Sequence, residues 1–445
     1  MGPVTESQTP TIKDLKTLLE YYQNERYEDA EKLALIINKG FPKHKFSWKV
    51  LGAIFQITNR TSDALIANKK VVELDSKDHE AYNNLGVTLE TLGKLEEAES
   101  SFKKAIALKP SYAEAHYNLG NALKELDRLE EAQANFERAI AITPDSVEAY
   151  NSLGNTLREI GKLKEAETCF DKVIEINPGY GLALMNRGRL LVEKEDFKAA
   201  LNDFDLCDTE ESRVSALSAL NALGRVEEIY QRIEKQSELD GVNRRLAAFA
   251  SFIAKKELRD TANNFCKNPL DFLYFSTISS HVENYNSFST EIIKELVAID
   301  KVWEPSGKTT KKGFQSKVNL FGNPSGKIAQ LKTIILDELE KYYSKFKNEP
   351  CLYMQKWPSQ RNLVGWYVIL KQQGHQLAHI HPSGWLSGVI YLKVVPSLGK
   401  DEGAIEFGFN GETYSDIDLP TKVHQPELGD IVFFPSSLHH RTIPF

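Results

Sequence analysis

The stretch "AYNNLGVTLETLGKLEEAESSFKKAIALKP", residues 81–110, decides the fold of the first half of the chain. Tyr82, Leu85 and Leu89 recur at the spacing that lines up one face of a helix. Gly86 has no side chain, so a second helix can approach closely at that point. Ala98, on the second helix, is expected to fill the tight crossing. Pro110 then stops the second helix, because proline lacks the N–H that a helix needs.

The same arrangement recurs on both sides. Gly52, Gly86, Gly120, Gly154 and Gly188 are spaced 34 residues apart, as are Ala30, Ala64, Ala98, Ala132, Ala166 and Ala200. Leu51, Leu85, Leu119 and Leu153 keep the phase, and so do Phe102, Phe136, Phe170 and Phe204. Pro110, Pro144 and Pro178 close successive units. This period and pattern are those of tetratricopeptide repeats. One helical pair cannot bury its apolar face, so neighbours must stack into an all-α solenoid with a concave surface. Four clear repeats are expected at about 45–212, with weaker ones on either side. "VSALSALNALGRVEEIYQRIEK" (214–235) reads as a degenerate pair ending the array.

Asn84, Asn118 and Asn186 share one repeat position, and Asn121 and Asn155 share another. An asparagine amide both donates and accepts, so it can pair with the backbone of an extended peptide whatever its sequence. The array resembles the asparagine-rich groove of the peptide-binding repeats in O-linked N-acetylglucosamine transferases. That resemblance implies a protein or peptide partner in the groove. The alternative is that asparagine merely suits solvated helix faces in a structural or assembly role.

A chain of 445 residues is too long for one ordinary core, which predicts two or three domains. Hydrophobic residues at 41% and charged residues at 26% describe a globular, soluble protein. A formal charge of −7 argues against a nucleic-acid-binding surface. No apolar run reaches the roughly 18–20 residues that cross a bilayer, so no membrane partner is expected. "MGPVTESQTPTIKDLK" has no basic segment leading into an apolar one and reads as no secretory signal. Pro3 and Glu6 fit the myristoylation pattern poorly. Cys169, Cys207, Cys266 and Cys351 are scattered and read as buried thiols. A cytoplasmic location is expected.

Beyond about residue 255 the repeat phase is gone. Amphipathic helices are expected at 288–300 and 325–346. "GNPSGKI" (322–328) lacks the spacing of a phosphate loop. From about 351 short strands follow one another, "NLVGWYVILK", "GWLSGVIYLKVV", "GAIEFGF" and "GDIVFFPSS", which suggests a sandwich or jelly roll. The expected organisation is a repeat solenoid at 11–240, a helical connector and lead-in at 241–350, and a mainly-β core at 351–445.

Six of the ten histidines, His375, His379, His381, His424, His439 and His440, fall within 375–445. In "GHQLAHIHPSGWLSGVIYLKVV" (374–395), His379 and His381 are two apart. In extended chain such residues face the same way and can reach one point. "GDIVFFPSSLHHRTIPF" (429–445) offers a third imidazole, from His439 or His440, after a strand and a short turn. Such a set with open positions suits non-haem Fe(II), usually held by two histidines and one carboxylate.

The segment 360–445 resembles a 2-oxoglutarate/Fe(II) oxygenase family often fused to tetratricopeptide repeats and distantly related to prolyl 4-hydroxylases. "HIHPSGWLSGVIYL", "GAIEF" and "GDIVFFPSSLHHRTIPF" carry the likeness, and "NPLDF" (268–272) and "GFQSKVNLF" (313–321) resemble its lead-in. The resemblance implies a double-stranded β-helix, Fe(II), 2-oxoglutarate as cosubstrate and hydroxylation of an unactivated carbon. It makes His379 the proximal ligand and His440 the distal one, with His439 as the alternative. His381 occupies the place where the family has its carboxylate, so either three imidazoles bind or only one of the pair does.

The family also anchors the far carboxylate of 2-oxoglutarate with an arginine or lysine beyond the distal histidine. The sequence runs only to Phe445. Either it is truncated there or another cation serves. Lys393 is the candidate substitute, with Tyr391 and Ser387 on the same strand face able to hydrogen-bond a dicarboxylate; exposed charge and packing are their ordinary readings. Arg441 is expected to point away, and Trp385 to be core or pocket wall. Two functions follow: a dioxygenase whose repeats bind a protein or peptide, or a non-catalytic scaffold with a degenerate oxygenase-like domain.

Overall fold

The computed structural model describes residues 9–305, 308–394, 399–411, 413–416 and 418–445. The reading of Met1, Gly2, Pro3 and Glu6 lies outside the described residues. The chain divides into two compact units, Met1–Lys194 and Glu195–Phe445. Among the described residues, only helices precede residue 257. They are α1 (Ile12–Gln23), α2 (Tyr27–Gly40), α3 (Lys45–Ile57), α4 (Thr61–Leu74), α5 (His79–Thr91), α6 (Leu95–Leu108) and α7 (Ala113–Glu125). Then come α8 (Leu129–Ile142), α9 (Val147–Ile160), α10 (Leu163–Ile176), α11 (Gly181–Glu193), α12 (Phe197–Cys207), α13 (Glu210–Ala222), α14 (Val226–Leu239) and α15 (Arg244–Lys256). None of the described helices is long and apolar enough to cross a membrane.

In the first unit the repeat residues meet as the spacing requires, with one correction. A methyl group on Gly86 would stand 2.4 Å from the ring of Phe102, and those on Gly120 and Gly154 would stand 2.6 Å from Phe136 and Phe170. The phenylalanine ring therefore fills the space left by the glycine, where the sequence reading placed the alanine. Ala98, Ala132 and Ala166 are themselves fully buried. In the preceding unit Asn68 stands where later units have phenylalanine; its amide donates to Thr88 Oγ1 at 2.8 Å. Helices α6, α8 and α10 each stop just before Pro110, Pro144 and Pro178, as expected.

Chain order gives five helix pairs between Lys45 and Cys207, where the sequence reading counts four. The last of them has no closing proline. Helix α12 instead ends where Asp208 turns left-handed, at φ 44°.

The second unit adds strands. They are β1 (Tyr274–Thr277), β2 (Lys301–Trp303), β3 (Thr310–Ser316), β4 (Val368–Gln376), β5 (Leu386–Ile390), β6 (Ile405–Gly408), β7 (Lys422–His424), β8 (Asp430–Pro435) and β9 (His439–Thr442). Helices α16 (Tyr285–Val297), α17 (Gly326–Phe346) and α18 (Leu352–Gln355) lie among them. The segment 241–350 thus supplies three strands as well as helices.

The strands form antiparallel sheets ordered β1-β8-β5, β2-β3-β4 and β7-β6-β9. An isolated antiparallel bridge between His379 and His440 links the chain beyond β4 to β9. Side chains alternate along β8. Ile431 and Phe433 join the core built with α16 and α17, while Val432 and Phe434 join Ile405, Phe407 and Leu438 in a separate inner layer. This alternation gives β8 two buried faces. At the start of α17, the Glu295 carboxylate accepts from the backbone N–H groups of Lys327 and Ile328 at 2.9 and 3.1 Å. A protein carboxylate thus occupies the helix end that begins within "GNPSGKI".

Candidate metal centre

His379, His381 and His440 converge. Each offers a ligand nitrogen, and these nitrogens lie within 4.8 Å of one another. The ring centroids are 4.9 Å apart for His379–His381, 4.2 Å for His379–His440 and 5.0 Å for His381–His440. The backbone makes this possible. His379 and His440 exchange two N–H···O bonds of 3.1 Å, and the His381 N–H donates to the Ser436 carbonyl at 3.0 Å.

Two of the rings are oriented by carbonyls two residues earlier. His379 Nδ1 lies 2.7 Å from the Leu377 carbonyl, and His440 Nδ1 lies 3.3 Å from the Leu438 carbonyl. A carbonyl only accepts, so each Nδ1 carries the proton and each Nε2 keeps its lone pair. Burial lowers the pKa of all three rings, that of His381 to about 4, with His379 adding to the effect. Neutral imidazoles are the ligand form for a divalent ion of the iron–zinc series. With metal–nitrogen bonds near 2 Å, small ring rotations bring three nitrogens onto one ion. The residues fit such an ion. No carboxylate joins the cluster among the described residues.

Around the histidines, Ser387 and Tyr391 lie on the same side of the β5 segment as Val389, which packs with Tyr391 on the inner layer of Phe407 and Phe434. The Phe434 ring in turn lies 4.5 Å from that of His440. Ser387 Oγ is 2.7 Å from Ser436 Oγ. The Tyr391 hydroxyl is held neutral by burial, with Asp430 adding to the effect. Lys393 lies beyond the end of β5 and is exposed. Arg441 points away from the centre and is paired with Glu406, Nε to Oε1 2.7 Å and Nη2 to Oε2 3.1 Å. Trp385 is in the core, its Nε1 donating to the Tyr353 carbonyl at 3.1 Å.

His439 is turned to the other face of β9. Its Nε2 lies 3.3 Å from the Tyr414 hydroxyl, and burial lowers its pKa to about 3. Sequence reasoning missed Tyr414, Ser436 and Trp366, whose ring stands edge-on to His381 at 5.7 Å. Spacing along the chain does not single them out, because each is defined by what it faces in space.

A family model described as "Putative 2OG-Fe(II) oxygenase" matches residues 365–445, the segment that carries all three histidines. Models for the tetratricopeptide repeat match 67–100 and 111–179, and one for the TPR repeat matches 91–127. The chain joins tetratricopeptide repeats to a domain of that oxygenase family. No curated protein matches it. Among solved structures it is similar to MamA, at 29% identity over 35% of this chain and 92% of that one, with a TM-score of 0.34. It is also similar to YrrB, "a TPR protein with an unusual peptide-binding site", at 26% identity over 39% and 90%, TM-score 0.34. A tetratricopeptide repeat protein from Parabacteroides merdae ATCC 43184 matches at 17% identity over 51% and 92%, TM-score 0.41.

The asparagines of the repeats divide into two groups. The Asn118 and Asn186 amides donate to Asn83 Oδ1 and Asn151 Oδ1, each at 3.0 Å, and so link successive repeats. Asn84, Asn121 and Asn155 are half-buried, and their side chains have no hydrogen-bond partner among the described residues.

Proposed function

We propose that the oxygenase-family domain is an Fe(II)- and 2-oxoglutarate-dependent dioxygenase of the cytoplasm, hydroxylating a protein or peptide recruited through the repeats. The observation that supports this best is the convergence of His379, His381 and His440 with two Nε2 lone pairs freed by carbonyl bonds at Nδ1. The ferrous ion supplies, when bound, the joint activation of 2-oxoglutarate and oxygen that an unactivated carbon requires.

The chain's own residues then have separate tasks. The three imidazoles hold the ion as neutral ligands. The carbonyls of Leu377 and Leu438 keep the ring protons on Nδ1. The hydroxyls of Ser387 and Tyr391 orient the cosubstrate by hydrogen bonds, and Lys393 is the candidate counter-charge for its far carboxylate. Phe434 and Leu438 shield the inner side from water. In the repeats, Asn121 and Asn155, with Asn84, are the free amides for a partner backbone; Asn118 and Asn186 reach it by exchanging their bonds between repeats.

The exposure of Lys393 and the engagement of Arg441 by Glu406 favour a second reading, a protein-binding scaffold whose oxygenase-like domain is inactive. One experiment separates the two. Iron content and substrate-uncoupled conversion of 2-oxoglutarate to succinate are measured for the full chain, with His379→Ala and His440→Ala as controls. Stoichiometric iron and turnover that both variants lose support the enzyme. A folded protein with neither leaves the scaffold.

A further inference from the structure

The last helix before the strands, α15, touches one ligand-bearing segment of its unit directly and reaches the other through Tyr414. At its N-terminal end, Arg244 Nε donates to the Pro382 carbonyl at 2.9 Å, and the guanidinium lies 5.8 Å from the centre of the Trp385 ring. Pro382 directly follows His381, in a turn closed by a 2.9 Å bond from the Gly384 N–H to the His381 carbonyl. Further along the helix, Phe249 and Phe252 grip the ring of Tyr414 at centroid distances of 4.9 and 4.7 Å. Tyr414 is the residue whose hydroxyl meets His439.

Neighbouring helix α13 adds a further tie, with Ser218 Oγ donating to the Thr413 carbonyl at 2.8 Å. Gly411 leaves the room that the contact needs. A methyl group there would stand 2.8 Å from Tyr414 Cζ and 2.9 Å from His439 Nε2.

Adjacent residues on a strand point to opposite faces, so the rotation of β9 that aims His439 at Tyr414 also aims His440 at the centre. Fixing one fixes the other. We propose that Tyr414 and Arg244 are positioning residues for the metal ligands, and that α15 is a shared brace behind both the 379–381 and the 439–440 segments. This rests on the metal reading above and adds a role for α13, which the repeat pattern assigns to the array, and for α15, which the sequence reading places in the connector. Loss of either tie loosens the ligand set, and groups that orient ligands in this way commonly change metal affinity about 10–100-fold.

The test is a Co(II) titration of the full chain, reading both affinity and the visible ligand-field bands. Tyr414→Phe removes only the hydroxyl, and Arg244→Met removes only the guanidinium. Tyr230→Phe is the control, because its hydroxyl donates to the Arg259 carbonyl at 2.7 Å and touches no ligand segment. Tyr414→Phe and Arg244→Met are each expected to weaken Co(II) binding about tenfold and shift the bands, while Tyr230→Phe leaves both unchanged. Wild-type affinity and spectra in folded Tyr414→Phe and Arg244→Met overturn the brace and leave the metal reading standing. A folded wild type that binds no Co(II) overturns both. Should Tyr414→Phe fail to fold, Gly411→Ala, which pushes the ring aside, and Arg244→Met decide the matter.

Discussion

In the repeats, Phe102, Phe136 and Phe170 each cover a glycine on the helix before, and each does so in nearly the same way. In the oxygenase-family domain, His379 and His440 meet through one isolated bridge, between segments far apart in the chain. The first kind of contact is made several times over by a local rule. The second is made once. Damage to a repeat should therefore show up as lost stability in that neighbourhood. Damage to the bridge segments should instead show up as lost binding, because no second copy of the centre exists among the described residues.

The sharpest way to break this contrast is Phe136→Ala. The ring is fully buried over Gly120, and its loss is expected to cost about 3–5 kcal/mol in urea unfolding while leaving metal affinity unchanged. The reciprocal experiment is His440→Ala, which should lower metal affinity about 100-fold, or about 2.7 kcal/mol, with helix content by circular dichroism unchanged. If either variant produced the other's signature, the two regions would not be independent.

A third experiment compares both regions with a buried polar network that serves neither. The Glu338 side chain is fully buried. Its carboxylate accepts from Lys341 Nζ at 2.7 Å and from the Tyr274 hydroxyl at 2.8 Å, and lies 2.6 Å from His281 Nε2. Burial alone would raise its pKa, but these bonds and one from Ser276 outweigh it and draw the pKa down to about 2. A folded pKa below the unfolded one means stability that is fully present above the ordinary glutamate range and lost as pH falls from there towards 2. Glu338→Gln should therefore flatten the acid limb of a melting-temperature profile, removing a contribution of about 3 kcal/mol at most. The smallest effect is expected for Asn118→Ala, which cuts one amide bond between repeats. It should cost about 1 kcal/mol and lower peptide affinity less than Asn121→Ala does, as isothermal titration would show.

The repeats were legible because their contacts are local. The glycine, leucine and proline phases placed the helix pairs and their stops, although the ring of Phe136, and not Ala132, proved to fill the glycine's space. The span of about 45–212 holds five pairs where the sequence reading counts four, and both the first and the last lack the closing proline, with Ser76 and Ser212 at that position. Of the histidines, spacing brought His379 and His381 to one side, and family likeness pointed to His440. Which member of the 439–440 pair faces inward was left open, and so was the fate of Lys393.

Periodicity alone determines which faces of the helices must be buried, because helix geometry repeats every few residues and neighbouring units meet by the same rule. Only the tertiary structure decided that His440 faces the centre, that His439 faces Tyr414, and that Arg441 turns out to Glu406. These choices depend on the pairing of β9 with β6, in which Arg441 stands opposite Glu406. Strand side chains alternate, so a shift of one residue would exchange every inward group for an outward one.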